Sequence, residues 1–151
     1  MLREEGLATA CNFMLGFPGE SPRALGRTLE FMQRISPLVD SFSTLGVVVP
    51  FPGTPIYEDN HELYGFTDWW LREDHSHYTA PPPVSDFDRY YRHYIHDTNL
   101  ELDFFHYSET HRDSIRECMK YKAEHNLQKM GLLSDPVFRP LPAEPLHSSS
   151  T

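Results

Sequence analysis

Hydrophobic positions in the first third of the chain switch from a strand period to a helix period and back. A strand is expected over 7–15, where Ala10 to Leu15 is an apolar run with Phe13 and Leu15 on one side of the pleat. It gives way to Gly16-Phe17-Pro18-Gly19-Glu20, residue types that bend a chain. The spacing then turns helical: Leu25, Leu29, Met32 and Ile35 share a face, while Arg23, Arg27, Glu30 and Arg34 lie on others. Ser21 offers an oxygen to the free amides of the first turn, and Pro22 sits where a missing N–H costs nothing. Ser36-Pro37 is the expected stop, because proline disfavours helical backbone in the residue before it. A second strand over 41–49 ends in Val47-Val48-Val49, a β-branched run suited to a sheet covered on both faces. Strand, helix and strand over about 40 residues leave room for a parallel crossover, so the fold class is α/β.

Beyond residue 57 the pattern becomes aromatic and then helical. Trp69-Trp70 stands in a polar, aromatic stretch, and Ala80 to Val84 reads as a stiff proline linker. A helix from Ser85 carries Phe87, Tyr90, Tyr91, Tyr94 and Ile95. A second, over roughly 102–130, carries Phe105, Ile115, Met119 and Leu127 and stops at Gly131. Asp103, Glu109, Asp113 and Glu117 mix with Arg112, Arg116, Lys120 and Lys122, which predicts a solvated face. Four prolines (Pro136, Pro140, Pro142 and Pro145) and a serine-rich end predict a disordered tail over 132–151. Met1 to Glu5 reads as the last turn of a helix, with Gly6 as its left-handed stop, a hint of truncation.

The ordered motifs resemble the end of a radical S-adenosylmethionine (SAM) barrel, most closely that of the cobalamin-dependent branch. Phe13-Met-Leu-Gly-Phe-Pro-Gly-Glu-Ser21, Thr28-Leu-Glu-Phe31, Phe42-Ser-Thr-Leu45 and Pro50-Phe-Pro-Gly-Thr-Pro-Ile-Tyr57 carry the likeness, and Tyr64 to Leu71 extends it loosely. The resemblance implies a partial (β/α) barrel fragment over 1–57, a mainly helical extension over 58–131, and the tail. It implies a parent enzyme that cleaves SAM reductively to a 5′-deoxyadenosyl radical, using a 4Fe-4S cluster and cobalamin. Gly16, Phe17, Pro18, Gly19, Glu20, Pro50 and Phe51 would then line the SAM pocket, with the aromatic extension towards a small-molecule substrate. The family's Cys-x3-Cys-x2-Cys loop is absent, since the only cysteines are Cys11 and Cys118. The chain is therefore expected to be a fragment without catalysis of its own, and a chain carrying the missing strands is a candidate partner. The alternative is a non-catalytic subunit or degenerate binding module that keeps the β-α-β frame.

Composition narrows the partners. A net charge of −9 and a pI near 5.4 argue against a nucleic-acid groove, which needs clustered Lys and Arg. No apolar run approaches the ~20 residues of a membrane span. The N-terminus lacks a signal-peptide apolar core, and two distant cysteines give no disulfide framework, so a cytoplasmic setting is expected.

The residues of the two Gly/Pro clusters support two readings each. Gly16 to Gly19 can be a tight turn, or a backbone surface open to close approach by a polar ligand at a helix N-terminus. Glu20 is explained by the helix dipole. Pro50 to Pro55 can be a rigid strand exit, or a wall beside a ligand. Both fall at carboxyl ends of strands, where α/β barrels keep their active sites. Cys11 reads as a small buried hydrophobe and Cys118 as an unremarkable helical residue. His75 with His77, and His93 with His96, lack the further ligands of a recognised metal site, so no metal residues are assigned.

Overall fold

The computed structural model describes residues 5–43, 47–71 and 103–131. Two short strands, β1 (Ala10–Cys11) and β2 (Ser41–Phe42), pair in parallel with Ala10 opposite Ser41 and Cys11 opposite Phe42. A further parallel bridge joins Leu15 to Val47. Helix α1 (Pro22–Ile35) connects the strands, so the expected strand-helix-strand order and its parallel sense are both present. The regular ladder is shorter than 7–15 and 41–49. At its start side-chain chemistry intervenes: the Asp40 carboxylate accepts the Thr9 N–H at 2.8 Å, while the Thr9 carbonyl accepts from both Asp40 and Ser41.

Helix α1 begins where local chemistry says it should. Ser21 is extended, its hydroxyl accepts the Ala24 N–H at 3.2 Å, and Pro22 opens the helix. Leu25 and Met32 are completely buried and Leu29 and Ile35 partly so, which fixes the face turned to the core. The stop is less abrupt than proline alone predicts. Ser36 keeps helical backbone (φ −52°, ψ −34°), a 3-10 turn spans Ser36–Leu38, and the chain extends only at Val39. The Ser36 amide still donates to the Met32 carbonyl, which carries the helical hydrogen bonding up to Pro37.

Two one-turn helices follow, α2 (Pro55–Glu58) and α3 (His61–Tyr64), then a 3-10 turn at Trp69–Leu71. Trp69 is 1% exposed and meets Phe104 edge-on at 5.1 Å, while Phe66 meets Phe104 at 5.4 Å and Phe105 at 5.7 Å. Such aromatic pairs are worth about 0.5–1.5 kcal/mol beyond their buried area. They join the segment after α3 to the residues that lead into the last helix.

Helix α4 (Glu109–Lys129) packs against both α1 and β2. It starts at Glu109, not near 102, and Phe105 lies in the loop before it. The Asp103 carboxylate accepts the Tyr107 N–H and pairs with Arg112, and His106 is left-handed (φ 54°), so the chain turns instead of coiling there. Ser108 then caps the helix through the His111 N–H. The solvated face is interrupted too: Lys122, Ala123, His125 and Leu127 are buried because this end of α4 lies against the sheet. Burial lowers the Lys122 ammonium to about 8. Cys118 is buried against the Leu25 carbonyl, and burial pushes its thiol up to about 11. The readings of 1–4, the proline linker, the helix from Ser85, His75, His77, His93, His96 and the tail over 132–151 lie outside the described residues.

Candidate functional site

The two Gly/Pro clusters fold into the same turn. Phe17-Pro18-Gly19-Glu20 closes with a hydrogen bond from Glu20 N–H to Phe17 C=O at 2.9 Å, with Gly19 at φ +76°. Phe51-Pro52-Gly53-Thr54 closes with a bond from Thr54 N–H to Phe51 C=O at 3.1 Å, with Gly53 at φ +82°. Proline in the first central position and a left-handed glycine in the second are what a type II turn demands. Each turn runs straight into a capped helix with proline at its start: Ser21-Pro22 for α1, Thr54-Pro55 for α2. A carboxylate braces each from the far side. Glu20 accepts the Gly16 N–H at 2.6 Å, and Glu58 accepts the Gly53 N–H at 3.2 Å. Glu20 therefore does more than face a helix dipole; it closes the turn on itself.

Both turns follow the parallel Leu15–Val47 bridge and so lie beyond the carboxyl ends of the strands. Their phenylalanines are exposed, Phe17 at 41% and Phe51 at 53%. From there the surroundings diverge. Pro50 is fully buried and its carbonyl accepts the Trp69 indole N–H at 3.0 Å, with the Phe51 ring 5.8 Å from that indole. Phe17, Pro18, Gly19, Glu20 and Ser21 instead form one wall of a cleft of about 230 Å³. Tyr64, Phe105, His106, Tyr107, Ser108 and His111 form the other wall, and Pro50 and Phe51 do not line it. Of the seven residues singled out in the sequence, Phe17, Pro18, Gly19 and Glu20 line the cleft. The second wall joins Tyr64 to residues 105–111; the sequence placed Tyr64 in the looser likeness and Phe105 on a helix face, and singled out neither, nor His106, Tyr107, Ser108 and His111, as site residues.

Gly16 is where the two walls meet. The Tyr107 hydroxyl donates to the Gly16 carbonyl at 2.7 Å in a buried hydrogen bond. Gly16 is left-handed (φ +77°), and a Cβ there would lie 2.9 Å from Tyr107 Cζ and closer still to its hydroxyl. The glycine thus admits a tyrosine of the same chain. With Tyr107 seated, the Gly16 amide is held by Glu20, its carbonyl by the Tyr107 hydroxyl, and the side where a Cβ would stand is filled by the tyrosine ring. Burial holds the Tyr107 phenol well above the usual tyrosine range, with the Asp103 and Glu20 carboxylates adding to the shift. On the same wall His111 packs 4.9 Å from the Tyr107 ring, and its Nε2 is buried without a hydrogen-bond partner among the described residues.

No three His, Cys, Asp or Glu side chains converge as metal ligands among the described residues, and no described helix is long and apolar enough to cross a membrane. No family model, no curated protein and no solved structure matches the chain.

Proposed function

We propose that residues 10–57 are the closing strand-helix-strand of a radical SAM barrel, that residues 58–131 are its C-terminal extension, and that the chain is not catalytic alone. One observation carries this reading. Two copies of one Phe-Pro-Gly turn follow the same end of two parallel strands joined by a helix, where barrel enzymes keep their chemistry. In the parent, bound SAM and a reduced four-iron cluster would supply the 5′-deoxyadenosyl radical, acting on a small-molecule substrate. The cluster and cobalamin ligands would belong to another part of the protein or to a complementing chain, since Cys11 and Cys118 cannot form the three-thiolate loop. Phe17, Pro18, Gly19 and Phe51 are the residues left to face a cofactor, with the Glu20 carboxylate bracing the turn behind them, and the setting is cytoplasmic.

The test is anaerobic reconstitution of the chain alone and of the chain co-expressed with the polypeptide encoded immediately upstream. The expected result is no stoichiometric iron on the chain alone, and in the complex a four-iron cluster with 5′-deoxyadenosine released on reduction. A cluster bound by the chain alone, or a complex without iron, overturns the reading.

A second reading has its own support in the contact between Tyr107 and Gly16. A turn whose backbone groups are satisfied from within suits a non-catalytic module that keeps the β-α-β frame. A stable, monomeric chain with no complementing partner would favour it.

A further inference from the structure

We propose that Tyr107 is a built-in occupant of the Gly16 turn, so that the segment 103–108 closes this end of the turn to any external ligand while it is seated. Three independent features place the phenol there. The hydroxyl has one committed acceptor, the Gly16 carbonyl at 2.7 Å. The backbone that delivers it is pinned on both sides: the Tyr107 N–H goes to Asp103 at 2.9 Å and the Tyr107 carbonyl accepts from Arg112 Nε at 3.3 Å. Asp103 and Arg112 are themselves an ion pair, which ties the start of the segment to the first turn of α4. Gly16 leaves the ring its room, because a Cβ there would collide with the Tyr107 phenol.

The left-handed His106 completes the device. A non-glycine residue at φ 54° is held by its neighbours, and here it makes the bend between exposed His106 and buried Tyr107, with the His106 ring edge-on to Tyr64 at 5.7 Å. Opening the segment would free the Gly16 carbonyl and relieve His106 together. The consequence for a cofactor rests on the radical SAM reading; the seat of Tyr107 does not.

Two measurements on the full chain decide it. The first is the ultraviolet titration of tyrosinate in the wild type and in Tyr107→Phe. The expected difference between the curves is one phenol that stays protonated well past the usual value of ~10. A missing phenol that titrates in the ordinary range overturns the proposal. The second is a double-mutant cycle of Gly16→Ala with Tyr107→Ala. The loss in folding equilibrium constant caused by Gly16→Ala is expected to be about tenfold or more larger with Tyr107 present than without it. Additive effects overturn the proposal, and the Phe variant keeps the first measurement available should the Ala variant fold poorly.

S-adenosylmethionine is the probe for the consequence. Titration calorimetry is expected to show binding only once Tyr107 is replaced by Ala. Binding by the wild type as tight as by the variant overturns the closure. No binding by either chain counts against the radical SAM reading, while the titration still decides the seat of Tyr107.

Discussion

Asn126 and Phe42 exchange two hydrogen bonds of 2.9 Å each: the Asn126 Oδ1 accepts the Phe42 N–H, and its Nδ2 donates to the Phe42 carbonyl. The amides of Ser41 and Ser43 point the opposite way, to β1, so Phe42 carries the outer edge of β2. A side-chain amide on α4 thus makes the pair of bonds that a further strand would make there. An unpaired edge recruits other chains, and this one is closed from within. A chain that complements this sheet would therefore have to add on the β1 side.

Asn126→Ala should destabilise the chain by roughly 2–4 kcal/mol, the sum of two lost bonds and two backbone groups left without partners. Gln128→Ala, on an exposed position of the same helix, should stay within about 0.5 kcal/mol. Urea unfolding of both variants is the check. Equal midpoints for the two would mean that α4 does not sit on the β2 edge.

Helix α1 offers a graded series. Leu25 is wholly buried between the sheet side and α4, so Leu25→Ala should cost about 2–5 kcal/mol. Ser21→Ala removes only the cap and should cost about 1 kcal/mol. Arg27→Ala, exposed, should cost less than about 0.5 kcal/mol. Calorimetric melting of the three variants gives the order directly. A Leu25 variant as stable as the Arg27 variant would show that α1 is not part of the core.

This grading also marks what could be read from the sequence. The bounds of α1 were legible because cap, proline and apolar spacing all lie within a few residues of each other. Both turns were legible as turns, since Pro-Gly acts locally, and their identity is visible in the repeated Phe-Pro-Gly. The start of α4 was not, because Asp103 satisfies the Tyr107 amide and pairs with Arg112, which no periodicity reveals. Nor were the partners of Gly16 and Phe42, which come from 91 and 84 residues away. A glycine announces that something approaches closely; it does not announce what. Lys122 was misread for a similar reason: charge patterning describes a helix in water, and the sheet side of α4 is not in water.

The second turn depends on Trp69. Its indole N–H satisfies the buried Pro50 carbonyl, and its ring stands beside Phe51. Trp69→Phe keeps most of the apolar area but orphans that carbonyl, which should cost roughly 1–3 kcal/mol. Trp69→Ala adds a cavity next to Phe104 and should cost about 3–5 kcal/mol. Chemical denaturation followed by circular dichroism separates the two. A Phe variant indistinguishable from wild type would argue against the Pro50 contact.

His125 makes stability fall on mild acidification. It is 7% exposed, its ring lies 4.7 Å from that of Phe42, and its Nε2–H donates to the Val39 carbonyl at 3.2 Å. Burial holds its pKa below the usual histidine value, with Lys129 acting in the same sense and the Val39 bond and Asp40 opposing. The folded value therefore lies under that of the unfolded chain, about 6.5. Above that pH both states are neutral at this site and nothing is lost. As pH falls through it the unfolded chain binds the proton first, so stability declines until the folded value is passed. Wild type should lose urea midpoint between pH 7.5 and 5.5, and His125→Gln, which can keep a donor but cannot charge, should lose measurably less. The other histidines contribute equally to both proteins, so the difference between the two losses isolates His125. Identical losses in the two proteins would mean that this imidazole is hydrated in the folded state, and with it that the end of α4 does not cover Val39 and Phe42.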